Sequence, residues 1–354
     1  MKLNQNFFKK AKTLPVDKFF NNVLFDKKNG YYSSKVSFGY GGDFLTAPGI
    51  SNLFSETIGI WIVSTWNSLG QPKRLNLIEL GPGDGSLVKI LIKTFEKFPK
   101  FNKSIKIYLY EKSNLLKNLQ KKNIKSHKVK WIQNYNMIKK GPVIFLGNEF
   151  FDAVPIKQFV RKKNILFEKN YFLNKDNDIS EILKKASNKE VLLIKKFKTL
   201  KNLNFIEFPK LGLKELNKIT KKISKLNGGL LLIDYGYMIS NNKSTLQSVM
   251  KHKKNNLLEN LGKADITSLV NFNLLKEFLI KNNLKVKKIV TQKFFLEKMG
   301  IIERANDISK KMSFGEQSNL YLRIKRLLDS KFMGNLFKVI FAYKFKEDKF
   351  LGFD

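Results

Sequence analysis

The chain has 354 residues, of which 43% are hydrophobic and 27% are charged. This balance is typical of a folded globular protein and excludes wholesale disorder or a fibrous repeat. The chain has no cysteine and two histidines, so disulfides, thiolate metal sites and multi-histidine metal centres are excluded and no metal site is predicted. We expect His127 and His252 to be surface residues. The longest apolar runs, such as Ile58–Val63, are far shorter than the roughly 20 residues that span a bilayer.

The formal net charge is +38. Such a charge favours a polyanionic partner. However, only five of the 67 basic residues are arginine, and arginine is the residue that grips phosphates and base edges best. Compositional drift towards lysine therefore accounts for the charge better than nucleic-acid recognition does. No specific nucleic-acid partner is predicted, and a polyanion-binding surface remains the alternative.

Residues 1–70 form a mainly helical N-terminal extension that carries the loop Gly39–Ser51. The basic N-terminus has no apolar core and no cleavage site, so no secretory signal is predicted. We expect a cytoplasmic bacterial protein, or a protein of the mitochondrial matrix if the source is eukaryotic.

From about residue 75 the pattern alternates between short apolar runs and segments of helical spacing. The predicted strands are Leu75–Leu80, Ile105–Tyr110, Lys128–Ile132, Pro142–Leu146, Leu230–Ile233, Val286–Val290 and Val339–Tyr343. The predicted helices are Ser86–Phe98, Ser113–Lys121 and Phe272–Ile280. This alternation predicts an α/β domain over residues 71–354, with a parallel sheet covered by helices on both faces. The Lys- and Asn-rich stretch Lys162–Lys225 is interpreted as an insertion, either a lid or a small second domain.

A glycine-rich turn follows the first predicted strand. Gly81, Gly83 and Gly85 alternate with Pro82 and Asp84 directly after Glu79-Leu80. Glycines at such a turn allow the backbone to bend sharply and to approach a ligand closely. A pyrophosphate would be repelled by the carboxylate of Glu79, whereas a ligand that carries an ammonium group would be attracted to it.

A second acid, Glu111, ends the next strand, where it is placed to accept hydrogen bonds from ribose hydroxyls. The two acids and the glycines together favour S-adenosyl-L-methionine (SAM) as the cofactor. A dinucleotide and a purely structural glycine turn remain the alternatives.

A third constellation follows the strand that ends near Leu146. Asn148 and Glu149 are predicted to lie where the cofactor's methyl group meets the nucleophile, because ligands of open α/β sheets bind beyond the carboxyl ends of the strands. A carboxylate there suits a cationic nucleophile such as a guanidinium. Phe150 and Phe151 are either pocket walls or core residues. Asp152 either assists Glu149 or caps a following helix.

Six blocks of this sequence, in this order, resemble the MidA family of class I SAM-dependent methyltransferases. The blocks are Asn29–Tyr32, Gly42–Pro48, Glu79–Gly85, Asn148–Pro155, Ile233–Gly236 and Gly262–Thr267. The resemblance covers nearly the whole chain. Three positions depart from the family pattern, since Gly49, Leu269 and Asn271 stand where the family usually has Glu, His and Asp.

The resemblance implies a Rossmann-like sheet of seven strands and methylation of protein arginine to symmetric dimethylarginine. In mitochondrial members the acceptor is a subunit of respiratory complex I. The predicted function is therefore SAM-dependent N-methylation of a protein. The alternatives are a SAM-dependent enzyme that acts on RNA or a small molecule, and an assembly factor without catalysis.

The sequence thus predicts two sets of site residues. Glu149 and Asp152 are predicted to be catalytic. The predicted cofactor-binding residues are Glu79, Gly81, Gly83, Asp84, Gly85, Glu111, Asn148, Asp43 and Thr46.

Overall fold

The computed structural model describes residues 2–34, 46–240 and 242–353. None of the helices in this part of the chain combines the length and the apolar character needed to cross a bilayer.

The N-terminal region is mainly helical, as predicted. Its elements are α1 (Lys2–Phe8), β1 (Thr13–Pro15), α2 (Val16–Phe25), α3 (Tyr31–Ser34), α4 (Ala47–Ile50) and α5 (Asn52–Ser68). Helix α5 begins after Ser51, whose hydroxyl accepts a hydrogen bond from the Leu53 amide at 3.3 Å and so caps the N-terminus of the helix. Phe7, Phe19 and Phe20 form a separate aromatic core with Tyr171 of a later strand.

The first half of the main sheet follows, with helices between β2, β3 and β4 and a 3-10 turn between β4 and β5. Its elements are β2 (Leu75–Leu80), α6 (Ser86–Glu96), α7 (Pro99–Ser104), β3 (Ile105–Tyr110), α8 (Asn114–Ile124), β4 (Val129–Ile132) and β5 (Val143–Asn148). Every residue of β2 is buried, as expected for a central strand of a parallel sheet that is covered on both faces.

A smaller antiparallel sheet comes next. It is formed by β6 (Lys157–Lys162), β7 (Ile165–Leu173), β8 (Ile179–Lys185) and β9 (Phe205–Phe208), and β1 of the N-terminal region pairs with β7. Helix α9 (Asn188–Lys195) lies between β8 and β9 in the chain. Helix α10 (Lys210–Leu226) then packs its apolar face into a core shared with the main sheet. The division of the chain into domains stays a prediction.

The remaining elements complete the main sheet and add a helical C-terminal region. They are β10 (Gly229–Tyr237), β11 (Gln247–Met250), β12 (Lys253–Asn255), β13 (Asp265–Thr267), β14 (Val270–Asn271), α11 (Phe272–Lys281), β15 (Lys285–Val286), β16 (Val290–Thr291), α12 (Gln292–Lys298), α13 (Ile301–Ser309), α14 (Phe314–Leu328), α15 (Met333–Leu336) and β17 (Phe337–Tyr343). Strands β11, β12 and β13 form a third, small antiparallel sheet.

The main sheet has the strand order β15-β17-β10-β5-β2-β3-β4, and β14 and β16 are added beside β10 and β17. The neighbours from β10 to β4 are parallel, whereas β17 runs antiparallel to β10. The predicted Rossmann-like α/β sheet is therefore confirmed, with seven strands in its main order; β14 and β16 bring it to nine strands, and the antiparallel β17 makes it mixed rather than wholly parallel. One detail was wrong, because the predicted strand Val286–Val290 is two short strands, β15 and β16, which both pair with β17.

Alternate residues of the central strands face two different cores. Leu77, Leu109 and Leu146 belong to one core, and Ile78 and Phe145 belong to the other. Because side chains alternate along a strand, Glu79, Glu111 and Asn148 extend from the same face as the first set, at the carboxyl ends of β2, β3 and β5.

Candidate functional site

The glycine turn joins β2 to α6 at the carboxyl edge of the sheet. Gly81, Gly83 and Gly85 have φ values of +61°, +56° and +84°, which favour glycine because a side chain would be strained there. A Cβ at Gly81 would also lie 2.9 Å from Cδ2 of Phe150. The turn needs glycine both for its backbone conformation and for its close contact with the segment after β5.

Glu79 lies at the end of β2, just before this turn, and is 3% exposed. Its Oε2 atom is buried and has no hydrogen-bond partner among the described residues. Burial, together with the nearby charge of Asp84, raises the pKa of Glu79 to about 8. A cation bound at this position would satisfy the carboxylate and lower its pKa again.

Glu111 follows β3 and is joined to the glycine turn by one buried amide. The amide nitrogen Nε2 of Gln120 donates to the Gly83 carbonyl at 2.8 Å and to Oε2 of Glu111 at 3.2 Å. The Ser113 amide donates to Oε1 of Glu111 at 2.7 Å. Burial raises the pKa of Glu111, and these hydrogen bonds oppose the rise. The second predicted acid is therefore held at a fixed place beside the turn.

Asn148 ends β5 at the same edge of the sheet, and Glu149 follows it. Nδ2 of Asn148 donates to Oε1 of Glu149 at 3.2 Å, and the buried Oδ1 of Asn148 has no partner among the described residues. Glu149 is partly buried and has a φ of +52°, which is uncommon for a residue with a side chain. Burial and the charge of Asp152 raise the pKa of Glu149 to about 8.

Asp152 and Asp234 bring two further carboxylates close to Glu149. Burial raises the pKa of Asp152 to about 7, and burial with the charge of Asp152 raises the pKa of Asp234. Within residues 2–34, 46–240 and 242–353, no lysine or arginine forms an ion pair with these three acids. The same residues contain no group of three or more acids or histidines arranged to hold a metal ion. A cation bound beside these carboxylates would stabilise their charged forms and lower their pKa values.

The N-terminal region covers this cluster. The Ala47 amide at the start of α4 donates to Oε1 of Glu149 at 3.3 Å. Thr46, a predicted cofactor-binding residue, directly precedes Ala47 and occupies the N-cap position of α4. The hydroxyl of Tyr32 lies 3.1 Å from both carboxylate oxygens of Asp265. The predicted residue Asp43 lies outside the described residues.

Two sequence interpretations, those of Asp152 and of the two phenylalanines, are decided by this geometry. Asp152 does not cap a helix, because the chain turns after it and enters β6 at Lys157. Phe151 is a core residue that is 3% exposed, whereas Phe150 contacts the glycine turn. Asp84 accepts a hydrogen bond from the Ser86 amide at 2.9 Å, so its side chain turns towards the start of α6.

Two residues were missed by the sequence reasoning. Gln120 is fully buried in α8 and joins the glycine turn to Glu111. Asp234 binds the backbone of the Glu149 segment. Asp234 belongs to one of the recognised blocks, which was the available signal, but Gln120 stands in an ordinary helical stretch that carries none. His127 and His252 are exposed, as expected.

The sequence was then compared with known proteins. Residues 57–290, about two thirds of the chain, match the model of a family described as "Putative S-adenosyl-L-methionine-dependent methyltransferase". The chain belongs to this methyltransferase family. Its resemblance to MidA proteins is thereby confirmed, and so is SAM as the cofactor of the family.

Two curated relatives and one solved structure extend this result. The chain is 28% identical to "Protein arginine methyltransferase NDUFAF7, mitochondrial" of Xenopus tropicalis over 95% of this chain and 84% of the relative. It is 30% identical to the NDUFAF7 homolog of Caenorhabditis elegans over 78% of this chain and 70% of the relative. A Burkholderia thailandensis protein crystallised with S-adenosyl-homocysteine has the same fold, with a TM-score of 0.81 at 20% identity over 100% of this chain and 92% of that protein.

The residues at the glycine turn fit SAM. The cofactor carries an ammonium group, which matches the unpartnered buried oxygen of Glu79. It also needs close backbone approach, which the positive φ values of Gly81 and Gly83 provide. When bound, SAM supplies a methyl group that is already activated by its sulfonium. The protein then has to seat the cofactor, orient the acceptor and exclude water.

Proposed function

We propose that this enzyme methylates arginine side chains of a protein. The observation that carries the proposal is the cluster of Glu149, Asp152 and Asp234, which lies at the carboxyl edge of the sheet beside the glycine turn and has no cationic partner within the described residues. A guanidinium group is planar, cationic and rich in donors, so it can pair with two carboxylates at once.

In this proposal Glu149 orients the guanidinium and Asp152 supports it. Glu79 and the three glycines seat the methionine end of SAM, Glu111 holds the ribose, and Asn148 faces the region of the methyl group. Asp84 and Thr46 are proposed as further cofactor-binding residues. Asp43 is proposed as one on the sequence alone. Displacement at the methyl group requires an acceptor nitrogen in line with the sulfonium, so the carboxylates act by holding that nitrogen in place.

The relatives' names support the same acceptor, because they describe protein arginine methyltransferases of mitochondria. We extend to this chain the family's symmetric dimethylarginine product and an acceptor in respiratory complex I. For the site of action we propose the bacterial cytoplasm, or the mitochondrial matrix if the source is eukaryotic.

The test uses purified protein, isotopically labelled SAM and an extract of the source cells, followed by mass spectrometry of modified arginines. Wild type is expected to label arginine in one or a few proteins. Glu149→Gln keeps the shape of the side chain but removes its charge, so we expect labelling to fall by about a hundredfold. Asp307→Asn, which alters an exposed ion pair with Lys310, is the matched control and should label like wild type.

Labelled lysine or RNA in place of arginine would refute the acceptor. Equal labelling by wild type and Glu149→Gln would refute the role of Glu149. RNA is the rival that the net charge of +38 favours. An RNA acceptor would be indicated by RNA binding whose affinity falls steeply as the salt concentration rises, because each neutralised phosphate releases counterions.

A further inference from the structure

The turn that carries Glu149 is fixed by the end of the neighbouring strand. Strands β5 and β10 pair in parallel up to Asn148 and Ile233. Beyond that pair, the Glu149 amide donates to the Ile233 carbonyl at 2.9 Å. The next residue of β10 is Asp234, which is 2% exposed.

One carboxylate oxygen of Asp234 accepts three consecutive amides of the turn. Its Oδ2 atom is 3.1 Å from the Phe150 amide, 2.7 Å from the Phe151 amide and 3.3 Å from the Asp152 amide. Its Oδ1 atom accepts from the Tyr235 amide at 2.9 Å. Four successive amides, 149 to 152, are therefore bound by two successive residues of β10.

These hydrogen bonds stabilise a turn whose backbone conformation is otherwise unfavourable. Glu149 has a positive φ that disfavours any residue with a Cβ. The bend also leaves three amides that neither a helix nor a strand satisfies, and buried amides without partners are costly. A carboxylate aimed at all three stabilises this bend and no other, and the bend decides where the side chains of Glu149 and Asp152 lie.

We propose that Asp234 is the positioning residue of the methyl-acceptor site, holding the backbone of residues 149–152 so that Glu149 and Asp152 face the acceptor together. Asp234 need not touch the acceptor or the cofactor to do this. The inference rests on the proposed function for its catalytic consequence, but the claim about the turn is independent of the acceptor's identity.

The test compares Asp234→Ala and Asp234→Asn with wild type by amide hydrogen exchange of residues 150–152 in the ligand-free protein. Alanine removes every acceptor, so these amides should exchange at least about a hundredfold faster. Asparagine keeps one carbonyl oxygen but places an amide group opposite the Tyr235 amide, so its effect should be intermediate. Asp265→Asn is the control for exchange, because the carboxylate of Asp265 accepts from the Ile266 amide at 2.8 Å and from Tyr32 instead.

Turnover gives the second readout. We expect Asp234→Ala to lower kcat by about a hundredfold, since a displacement of about 1 Å can have that effect, while the affinity for S-adenosyl-homocysteine stays within about twofold. Two results would overturn the proposal. One is unchanged exchange of residues 150–152 in Asp234→Ala. The other is a parallel loss of kcat, cofactor affinity and thermal stability in both variants, which would indicate general support of the fold.

The failure of the proposed function is distinguishable from both results. Wild type could fail to methylate arginine while Asp234→Ala still speeds the hydrogen exchange of amides 150–152. The arginine proposal would then be wrong, and the role of Asp234 in the turn would be supported.

Discussion

Replacing Glu79 with glutamine should make the ligand-free protein more stable and its cofactor binding weaker. Glu79 is buried beside Asp84, with one oxygen unpartnered among the described residues, and its pKa is raised to about 8 from an ordinary value of 4.5. Between these two pH values the folded protein holds a proton that the unfolded chain has lost. The free energy of unfolding therefore falls as the pH rises from 4.5 to 8.

The size of the effect follows from this gap. Each pH unit above the ordinary pKa costs about 1.4 kcal/mol of stability, so at pH 7 the cost is about 3 kcal/mol. Glutamine avoids the ionisation but leaves a buried amide partly unsatisfied, which costs about 1–2 kcal/mol. We expect Glu79→Gln to raise the free energy of unfolding by about 1–2 kcal/mol at pH 7, with a melting temperature a few degrees higher.

The assay is thermal and urea unfolding of the ligand-free protein at pH 5, 7 and 8, with calorimetry of S-adenosyl-homocysteine binding in parallel. At pH 5 the variant should be slightly less stable than wild type, by up to about 1 kcal/mol, because the cost of the buried amide then exceeds that of ionisation, and the gain should be largest at pH 8. Affinity should fall by about ten- to a hundredfold, because a charged hydrogen bond is lost. Glu207→Gln is the control. Glu207 is also buried, but its carboxylate accepts from Thr245 and Gln158, so that variant should not be stabilised. A Glu79→Gln protein with unchanged affinity and no gain at pH 8 would refute the reasoning.

Three further predictions concern the acceptor site, the glycine turn and the fold. The pKa of Glu149 is about 8 and that of Asp152 about 7, so kcat/KM for the acceptor should fall as the pH drops below 8; a flat profile from pH 6 to 9 would contradict this. Gly81→Ala should weaken S-adenosyl-homocysteine binding more than tenfold, because its Cβ would lie 2.9 Å from Phe150. Gly70 also has a positive φ, +74°, but a Cβ there would meet open space. Gly70→Ala should therefore leave the affinity unchanged in the same titration. Lys157→Met should lower the free energy of unfolding by about 3–5 kcal/mol in urea titrations, because it leaves buried acids unpaired; a loss below 1 kcal/mol would show that this cluster adds little.

The last of these predictions depends on one buried ion cluster. Nζ of Lys157 is paired with Glu168 and lies 3.6 Å from both Asp17 and Glu190. These acids come from α2, β7 and α9, so the cluster ties the N-terminal region to the smaller sheet. Lys310→Met, which removes an exposed pair with Asp307, is the matched control and should cost far less stability than Lys157→Met, because solvent screens an exposed pair.

The cofactor side of the site could be predicted from the sequence because its signals are local. A buried strand, a turn with alternate glycines and an acid at each strand end lie within 35 residues or so of one another. Parallel strands bring their carboxyl ends to one edge, so the alternation of strands and helices predicted that Glu79, Glu111 and Asn148 lie at the same edge of the sheet.

The acceptor side could be predicted only in part, because its contacts join distant segments. Asp234 meets the Phe151 amide across 83 positions, and Ala47 meets Glu149 across 102. No spacing rule connects such residues. The predicted helix after Asp152 is absent for a similar reason. Aspartate often caps helices, but here Asp234 of another strand binds the amides of residues 150–152, and the chain bends instead.

In the sequence, the smaller sheet could be recognised only as an interruption in the alternation of strands and helices. Its strands carry many exposed charged residues, and β8 is mostly exposed, so the apolar alternation that marks a strand is weak. Pairing of β1 with β7 joins positions near 14 and 171, which again leaves no local signal. The C-terminal helices α12–α15 were also missed, since their short apolar stretches contribute to a core whose other members come from α5 and β17.

The charge of the whole molecule and that of the site have opposite signs. A net charge of +38 repels a cationic acceptor at long range, but salt screens this repulsion beyond about 10 Å. At short range the proposed acceptor meets Glu149 and Asp152, which pair with no lysine or arginine within the described residues, and a bound cation would favour their charged forms. An acceptor protein that is acidic away from its target arginine would satisfy both conditions.

The most direct test of the cofactor site is a crystal structure of this protein with S-adenosyl-homocysteine. We predict that the amino group of the ligand lies within hydrogen-bond distance of the Glu79 carboxylate, with its ribose hydroxyls on Glu111 and its backbone contacts at Gly81 and Gly83. A ligand bound at another edge of the sheet, or one whose amino group contacts neither Glu79 nor the glycine turn, would contradict the assignment.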